Sequence, residues 1–198
     1  MVTTRNRRVW LQRCVDSVCL QEGVSLEVVI VDDASTDGTA GWLEALDEPH
    51  LTVLRLAERA GVAAARNRGL AAARGGFVMF LDDDDWLEPG ALRVLASGLA
   101  AHPEAVAAVG ARRVWFTAEG YARRDSHPHI PRVRHIVREL LVDWSAVSGQ
   151  NLYRTALIRQ IGGYDPSVLQ VEDRDLWLRL AALGPAPPPR DSRRNRSA

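Results

Sequence analysis

In the stretch "FVMFLDDDDWLEP", residues 77 to 89, five apolar residues run directly into four aspartates, Asp82, Asp83, Asp84 and Asp85. Carboxylates this close repel one another, so each makes its neighbours costlier to ionise. Hard oxygen donors at a strand end suit Mg²⁺ or Mn²⁺, which bind through one or two carboxylates and fill their shells with water and phosphate oxygens. The competing structural reading is an acidic loop that caps the following helix and meets its positive end. Four acids after one apolar run favour the ligand site.

Three further segments carry candidate chemistry. In "VVIVDDAST" the carboxylates of Asp32 and Asp33 follow a β-branched run, where they accept hydrogen bonds either from a base or ribose or from local backbone in an Asx-type turn. In "GVAAARNRG", Arg66 and Arg68 flank Asn67; arginine there either grips a diphosphate bidentately or lies on a solvated face. In "VEDRDLWLRL", Glu172, Asp173 and Asp175 open a helix. Asp175 and Arg179 have i,i+4 spacing, whereas Glu172 and Asp173 either complement the helix dipole or supply a general base.

These residues need a scaffold, and the first two-thirds of the chain alternates helix-like and strand-like segments. "VWLQRCVDSVCLQ" carries Leu11, Cys14, Val15 and Val18 at helical spacing. "LEVVIV", "LTVLRL", "FVMFL" and "AVAAVGARRVWF" read as strands, and "GWLEALDE", "GVAAARNRGLAAAR" and "PGALRVLASGLAAHP" as helices. The continuous apolar character of "FVMFL" is that of one strand covered on both faces. The pattern predicts an α/β fold with an open, mostly parallel sheet and helices on both faces, in which ligands bind beyond the carboxyl ends of the strands. Residues 1–117 form this half; 118–184 form a second segment holding a basic loop, "TAEGYARRDSHPHIPRVRH", a helix "IVRELL" and the helix "EDRDLWLRLAALG"; 185–198 form a Pro/Arg-rich tail expected to be disordered. The whole is expected to be one structural domain.

Composition narrows the classes of function. The 198 residues are 46% apolar and 25% charged, with formal net charge zero and a pI of about 7.0. That balance offers no electrostatic case for nucleic acid. All 25 basic residues other than histidine are arginine. The cysteines, Cys14 and Cys19, are spaced so that they do not face each other on a helix, which suits a reducing compartment. No apolar run reaches the ~20 residues that span a bilayer, and "MVTTRNRRVW" lacks a signal core. The expectation is a cytoplasmic protein, compatible with docking at the inner face of a membrane.

Taken together and in order, "TTRNRRVWLQRCVDSV", "VVIVDDASTDGT", "GVAAARNRGLAAARGGFVMFLDDDDWLEPGAL", "IGGYD" and "EDRDLWLRL" resemble the family-2 glycosyltransferases of GT-A fold. The resemblance implies an inverting transferase that moves a sugar from a nucleoside-diphosphate sugar, most readily a UDP-sugar, to a hydroxyl of a carbohydrate or lipid-linked acceptor. By position, it implies that Thr4, Asp32, Asp33, Arg66, Asp82 and Asp83 face the nucleotide sugar. Asp84 and Asp82 match the metal-holding acids of the DXD motif, with Mn²⁺ or Mg²⁺ as cofactor. Asp173 matches the catalytic base, supported by Glu172, which makes 118–184 the acceptor-side segment with the catalytic-base helix. Relatives carry a fuller strand ahead of "TTRNR" and further elements after "LWLRLAALG", so the chain reads as truncated at both ends. This keeps a second reading open, a catalytically poor relative that only binds nucleotide sugar or a partner. A nucleotidyltransferase is disfavoured because "TTRNRR" lacks the glycines of a phosphate loop.

Overall fold

The structure, a computed structural model, describes residues 1–116, 122–126 and 149–183. Its central sheet has four parallel strands in the order β3 (Leu51–Arg55), β2 (Val28–Asp32), β1 (Val2–Thr4) and β5 (Leu81–Asp82). The two faces of β2 show why helices lie on both sides. Val28 and Ile30 pack with Leu11, Cys14, Val15 and Val18 of α1 (Arg8–Cys19) and Leu43 of α2 (Thr39–Glu44). Val29 and Val31 point the other way, onto Ala65 of α3 (Val62–Ala72). A strand buried on both faces has no polar position to offer until it ends, and here it ends in Asp32 and Asp33.

β1 has three residues, yet it is paired on both edges and Val2 is fully buried. Residues 2–4 suffice to bring Thr4 level with Asp32 and Thr3 level with Asp82 at the carboxyl ends of adjacent strands.

The run "FVMFL" does not form one strand. β4 (Phe77–Met79) pairs antiparallel with β9 (Asn151–Arg154), whereas β5 pairs with β1 in the other sheet. Between them the side chain of Phe80 is buried against Tyr153 and, edge to face at 4.9 Å, Tyr164. An apolar run specifies burial on both faces but says nothing about which neighbour each half pairs with. The second sheet is completed by β6 (Ala107–Val109) on the other edge of β9, after α4 (Ala91–Ala101). β9 thus comes from the later part of the chain and sits between two strands of the earlier part.

Strand β7 (Arg112–Phe116) pairs antiparallel with β8 (Ala122–Ser126), so part of the segment expected to be a loop is extended and paired. The expected helix "IVRELL" and the tail 185–198 lie outside the described residues. After β9 come α5 (Thr155–Gln160) and α6 (Glu172–Ala181), whose Leu157, Ile158, Leu176, Trp177 and Leu180 share a core with Leu70, Val78 and Phe80. Asp175 and Arg179 form the expected i,i+4 pair at 2.6 Å. Among the described residues no helix is long and apolar enough to cross a membrane.

Candidate active site

The four aspartates follow directly from β5, and the question of what neutralises them has an answer within the chain. Asp82 Oδ1 accepts a hydrogen bond from Arg66 Nη2 at 2.7 Å. Asp83 is buried; its Oδ2 accepts from the Thr4 hydroxyl at 2.7 Å and its Oδ1 from Arg7 Nη1 at 3.3 Å. The same Arg7 Nη1 donates to Asp84 Oδ2 at 2.7 Å. Two guanidinium groups therefore contact three of the carboxylates, and one of them, Arg66, is shared with Asp173 and Glu172 as well. Arginine thus supplies part of the counter-charge from within the chain. Asp85 does not cap the next helix: α4 begins well downstream, at Ala91, with Gly90 as its N-cap.

Arg66 is the hub. Its side chain is 4% exposed, and besides Asp82 it reaches Asp173 Oδ1 at 3.1 Å and Glu172 Oε1 at 3.5 Å through Nη1. The guanidinium also lies over the Tyr164 ring, 4.8 Å from its centroid. Tyr164 in turn donates its hydroxyl to Asp173 Oδ1 at 2.9 Å. A buried arginine is tolerated only with several anionic partners, and this one has three, drawn from β5 and the start of α6. Burial works against its charge, but the oxygen of Tyr164, Asp82 and Asp173 together hold its pKa above the ordinary value. Asp82 is pushed upward by burial, which outweighs the pull of Arg66. Asp83 is likewise pushed upward by burial, against Thr4 and Arg7.

The loop that carries Tyr164 is held by Asn67, one residue along α3 from Arg66. Asn67 Nδ2 donates to the Tyr164 carbonyl at 2.7 Å, and the Tyr164 N–H donates to Asn67 Oδ1 at 2.8 Å. This clamp needs backbone to come close. Gly163 has φ +72°, and a Cβ placed on it would lie 2.4 Å from Asn67 Oδ1.

At the end of β2 the two acids have different surroundings. Asp33 Oδ1 and Oδ2 accept the N–H groups of Ala60 and Gly61 at 2.6 and 3.0 Å, which fixes the turn that opens α3. Asp32 Oδ1 accepts the Ser35 N–H at 3.0 Å, the Asx-type turn anticipated as one alternative. Its Oδ2 is buried without a hydrogen-bond partner among the described residues, with Arg55 Nε 3.9 Å away.

Asp82, Asp84, Asp85 and Asp173 line one cleft of about 670 Å³ together with Trp86, Arg93, Gly110 and Gln150. The strand-end acids and the acid of α6 are thus on the same void although their sequence positions lie far apart. Among the described residues no cluster of three or more metal-ligating side chains converges. One or two carboxylates are what a magnesium-type ion takes from protein when phosphates and water complete its shell. Asp84, 49% exposed on the cleft, and Asp82 fit that mode. Sequence reasoning did not single out Arg7, Tyr164 or Asn67. The nearest signal was the basic run "TTRNRR", which has no acidic partner near it in sequence.

The family model described as Glycosyl transferase family 2 matches residues 1–162. The chain belongs to that family. It is 30% identical over 191 residues to the uncharacterized Mycobacterium tuberculosis protein MT1568, covering 88% of this chain and 59% of that protein. It is 39% identical over 93 residues to the succinoglycan biosynthesis protein ExoO of Rhizobium meliloti, covering 47% and 27% of the two chains. Among solved structures, it superposes on the mannosyltransferase PcManGT from Pyrobaculum calidifontis in complex with GDP-Man and Mn²⁺, with TM-score 0.68, 25% identity and coverage of 95% and 53%. It also superposes on S. aureus TarS 1-349 in complex with UDP-GlcNAc, with TM-score 0.66, 25% identity and coverage of 91% and 52%. The fold is accordingly of GT-A type. The chain spans about half to three-fifths of the length of MT1568 and of these two structures.

Proposed function

We infer that the cleft binds a nucleoside-diphosphate sugar and transfers its sugar, with inversion, to a hydroxyl of a carbohydrate or lipid-linked acceptor in envelope polysaccharide or glycolipid synthesis. The observation that carries this reading is the shared cleft of Asp82, Asp84 and Asp173. It puts acids suited to a metal-bound diphosphate within reach of an acid suited to deprotonate an acceptor. The printed complexes of PcManGT with GDP-Man and Mn²⁺ and of TarS with UDP-GlcNAc support a nucleotide-sugar donor, with UDP and GDP both represented.

In this reading Asp84 and Asp82 would hold Mn²⁺ or Mg²⁺, which when bound neutralises charge on the departing diphosphate. Thr4, Asp32, Asp33 and Asp83, which stand at the neighbouring strand ends and not on the lining of the cleft, would face the nucleotide from there. Arg66, being sealed by carboxylates, acts on the donor through Asp82 instead of touching it. Asp173 takes the acceptor proton as the acceptor oxygen attacks the anomeric carbon. Arg66 and Tyr164, both bound to Oδ1, hold that carboxylate in place, and Glu172 stands beside it on the same arginine.

A second reading is binding of the nucleotide sugar without turnover. Donor hydrolysis measured with Mn²⁺ and with chelator, alongside thermal shift with UDP- and GDP-sugars, separates the two. Metal-dependent hydrolysis supports transfer; donor stabilisation with no hydrolysis under either condition supports binding alone; no stabilisation by any donor removes both.

A further inference from the structure

The two arginines at the acidic run differ in how firmly they are held. Arg66 is buried and bound to three acids, so removing it from Asp82 would leave charges stranded. Arg7 is half exposed, at 51%; one nitrogen, Nη1, makes both its bond to Asp84, itself 49% exposed, at 2.7 Å and a longer one to buried Asp83 at 3.3 Å, which a swing away from Asp84 can keep. Exposed pairs of this kind are weak. The backbone beneath Arg7 is nevertheless fixed. Asn6 adopts φ 55°, its N–H donates to Ser35 Oγ at 2.9 Å, and its Oδ1 accepts the Thr36 N–H at 2.7 Å. This ties the β1–α1 loop to the β2–α2 loop, so the guanidinium starts from a set anchor and only the side chain is free to swing.

We propose that Arg7 is the resident counter-cation of Asp84, which a divalent ion must displace, so that metal binding at this site is a cation exchange. The proposal rests on the reading of Asp84 as a metal-holding residue. A metal seated on Asp84 within a few ångströms of a guanidinium would meet like charge, and the exposed side chain relieves that by leaving. A displaced Arg7 needs an anion, and a nucleoside diphosphate delivers one with the geometry arginine binds best. Metal and nucleotide should therefore favour each other's binding, with Arg7 as the link.

The test is Mn²⁺ titration followed by electron paramagnetic resonance, without nucleotide and with UDP, corrected for Mn²⁺–UDP binding in solution. The full chain is compared with Arg7→Gln and Arg7→Lys. Arg7→Gln is expected to bind Mn²⁺ about two- to fivefold tighter than the parent without nucleotide, the range a weak competing ion pair would allow, and to gain less from UDP. Arg7→Lys, which keeps the charge, should stay near the parent. Equal or weaker Mn²⁺ binding by Arg7→Gln overturns the exchange while leaving the metal site standing. Equal tightening in both variants also overturns it, since charge would not be the cause. Absence of Mn²⁺ binding in all three proteins, with UDP present, removes the metal reading together with the exchange.

Discussion

Arg66 Nη1 meets Asp173 Oδ1 at 3.1 Å across 107 positions of sequence, while its other nitrogen holds Asp82. One buried cation thus joins the strand-end acid proposed to face the donor to the helix acid proposed as base. The geometry gives both carboxylates the same counter-charge, so a change at one is felt at the other.

Replacing Arg66 with Met keeps bulk but strands Asp82, Asp173 and Glu172 around an apolar side chain. Breaking a buried ion pair from one side costs about 3–5 kcal/mol. The expected result is a fall in urea-denaturation stability of that order. Adding Asp82→Asn to Arg66→Met should recover part of the loss, because one of the stranded charges is then gone. A double variant no more stable than the single one would show that Asp82 does not depend on Arg66.

Asp173→Asn preserves size and can still accept the Tyr164 hydroxyl. It should fold, bind nucleotide as the parent does, and lose about 10²- to 10⁴-fold in turnover, the usual worth of a positioned general base. Isothermal titration with UDP and steady-state transfer rates measure the two halves. Unchanged turnover would falsify the role of Asp173.

Asn67→Ala removes both hydrogen bonds to Tyr164 and leaves a backbone N–H and carbonyl at a partly buried position. The expected loss is about 1–3 kcal/mol of stability. Turnover should fall more than nucleotide affinity, since Tyr164 orients Asp173 and not the donor. Gly163→Ala should mimic it: the residue sits at φ +72° and its new Cβ would collide with Asn67 Oδ1. Circular dichroism melts and donor titration on both variants check this.

Asp83 gives a pH signature. Burial raises its folded-state pKa above the ordinary 3.8. Protonation therefore favours the folded form: this group's contribution is complete below about pH 3.8 and is lost as pH rises through the raised value. Asp83→Asn, which can still accept from Thr4, should be more stable than the parent at pH 7, with the difference shrinking as pH falls toward 4. Midpoints of urea unfolding across that range, compared pairwise, isolate Asp83 from other titrating groups. A variant less stable than the parent at pH 7 would mean that its bonds to Thr4 and Arg7 outweigh its burial.

Much of the scaffold was legible because it is local. The β-branched run Val28–Val31, the helical spacing of Leu11, Cys14, Val15 and Val18, and the acidic first turn of α6 each announce themselves within a few residues. The break at Phe80 was not legible, since Phe77–Met79 and Leu81–Asp82 are equally apolar and differ only in which strand lies beside them. The same holds for β8, whose polar composition, "ARRDS", carries no strand signal until β7 lies against it.

The sequence alone determined which chemical groups stand at strand ends and helix starts, because strand and helix periodicity are properties of neighbouring residues. It placed four carboxylates after an apolar run, two more after "VVIV" and another pair ahead of "RDLWLRL". Which charges meet was decided only by the tertiary structure. Arg7 reaches Asp84 across 77 positions and Arg66 reaches Asp173 across 107. Such pairings depend on strand order, on the Asn67 clamp and on the close approach allowed at Gly163, none of which leaves a mark at short range. The run of acids suggested an external cation from its local charge density; the fold answers that charge first with arginine.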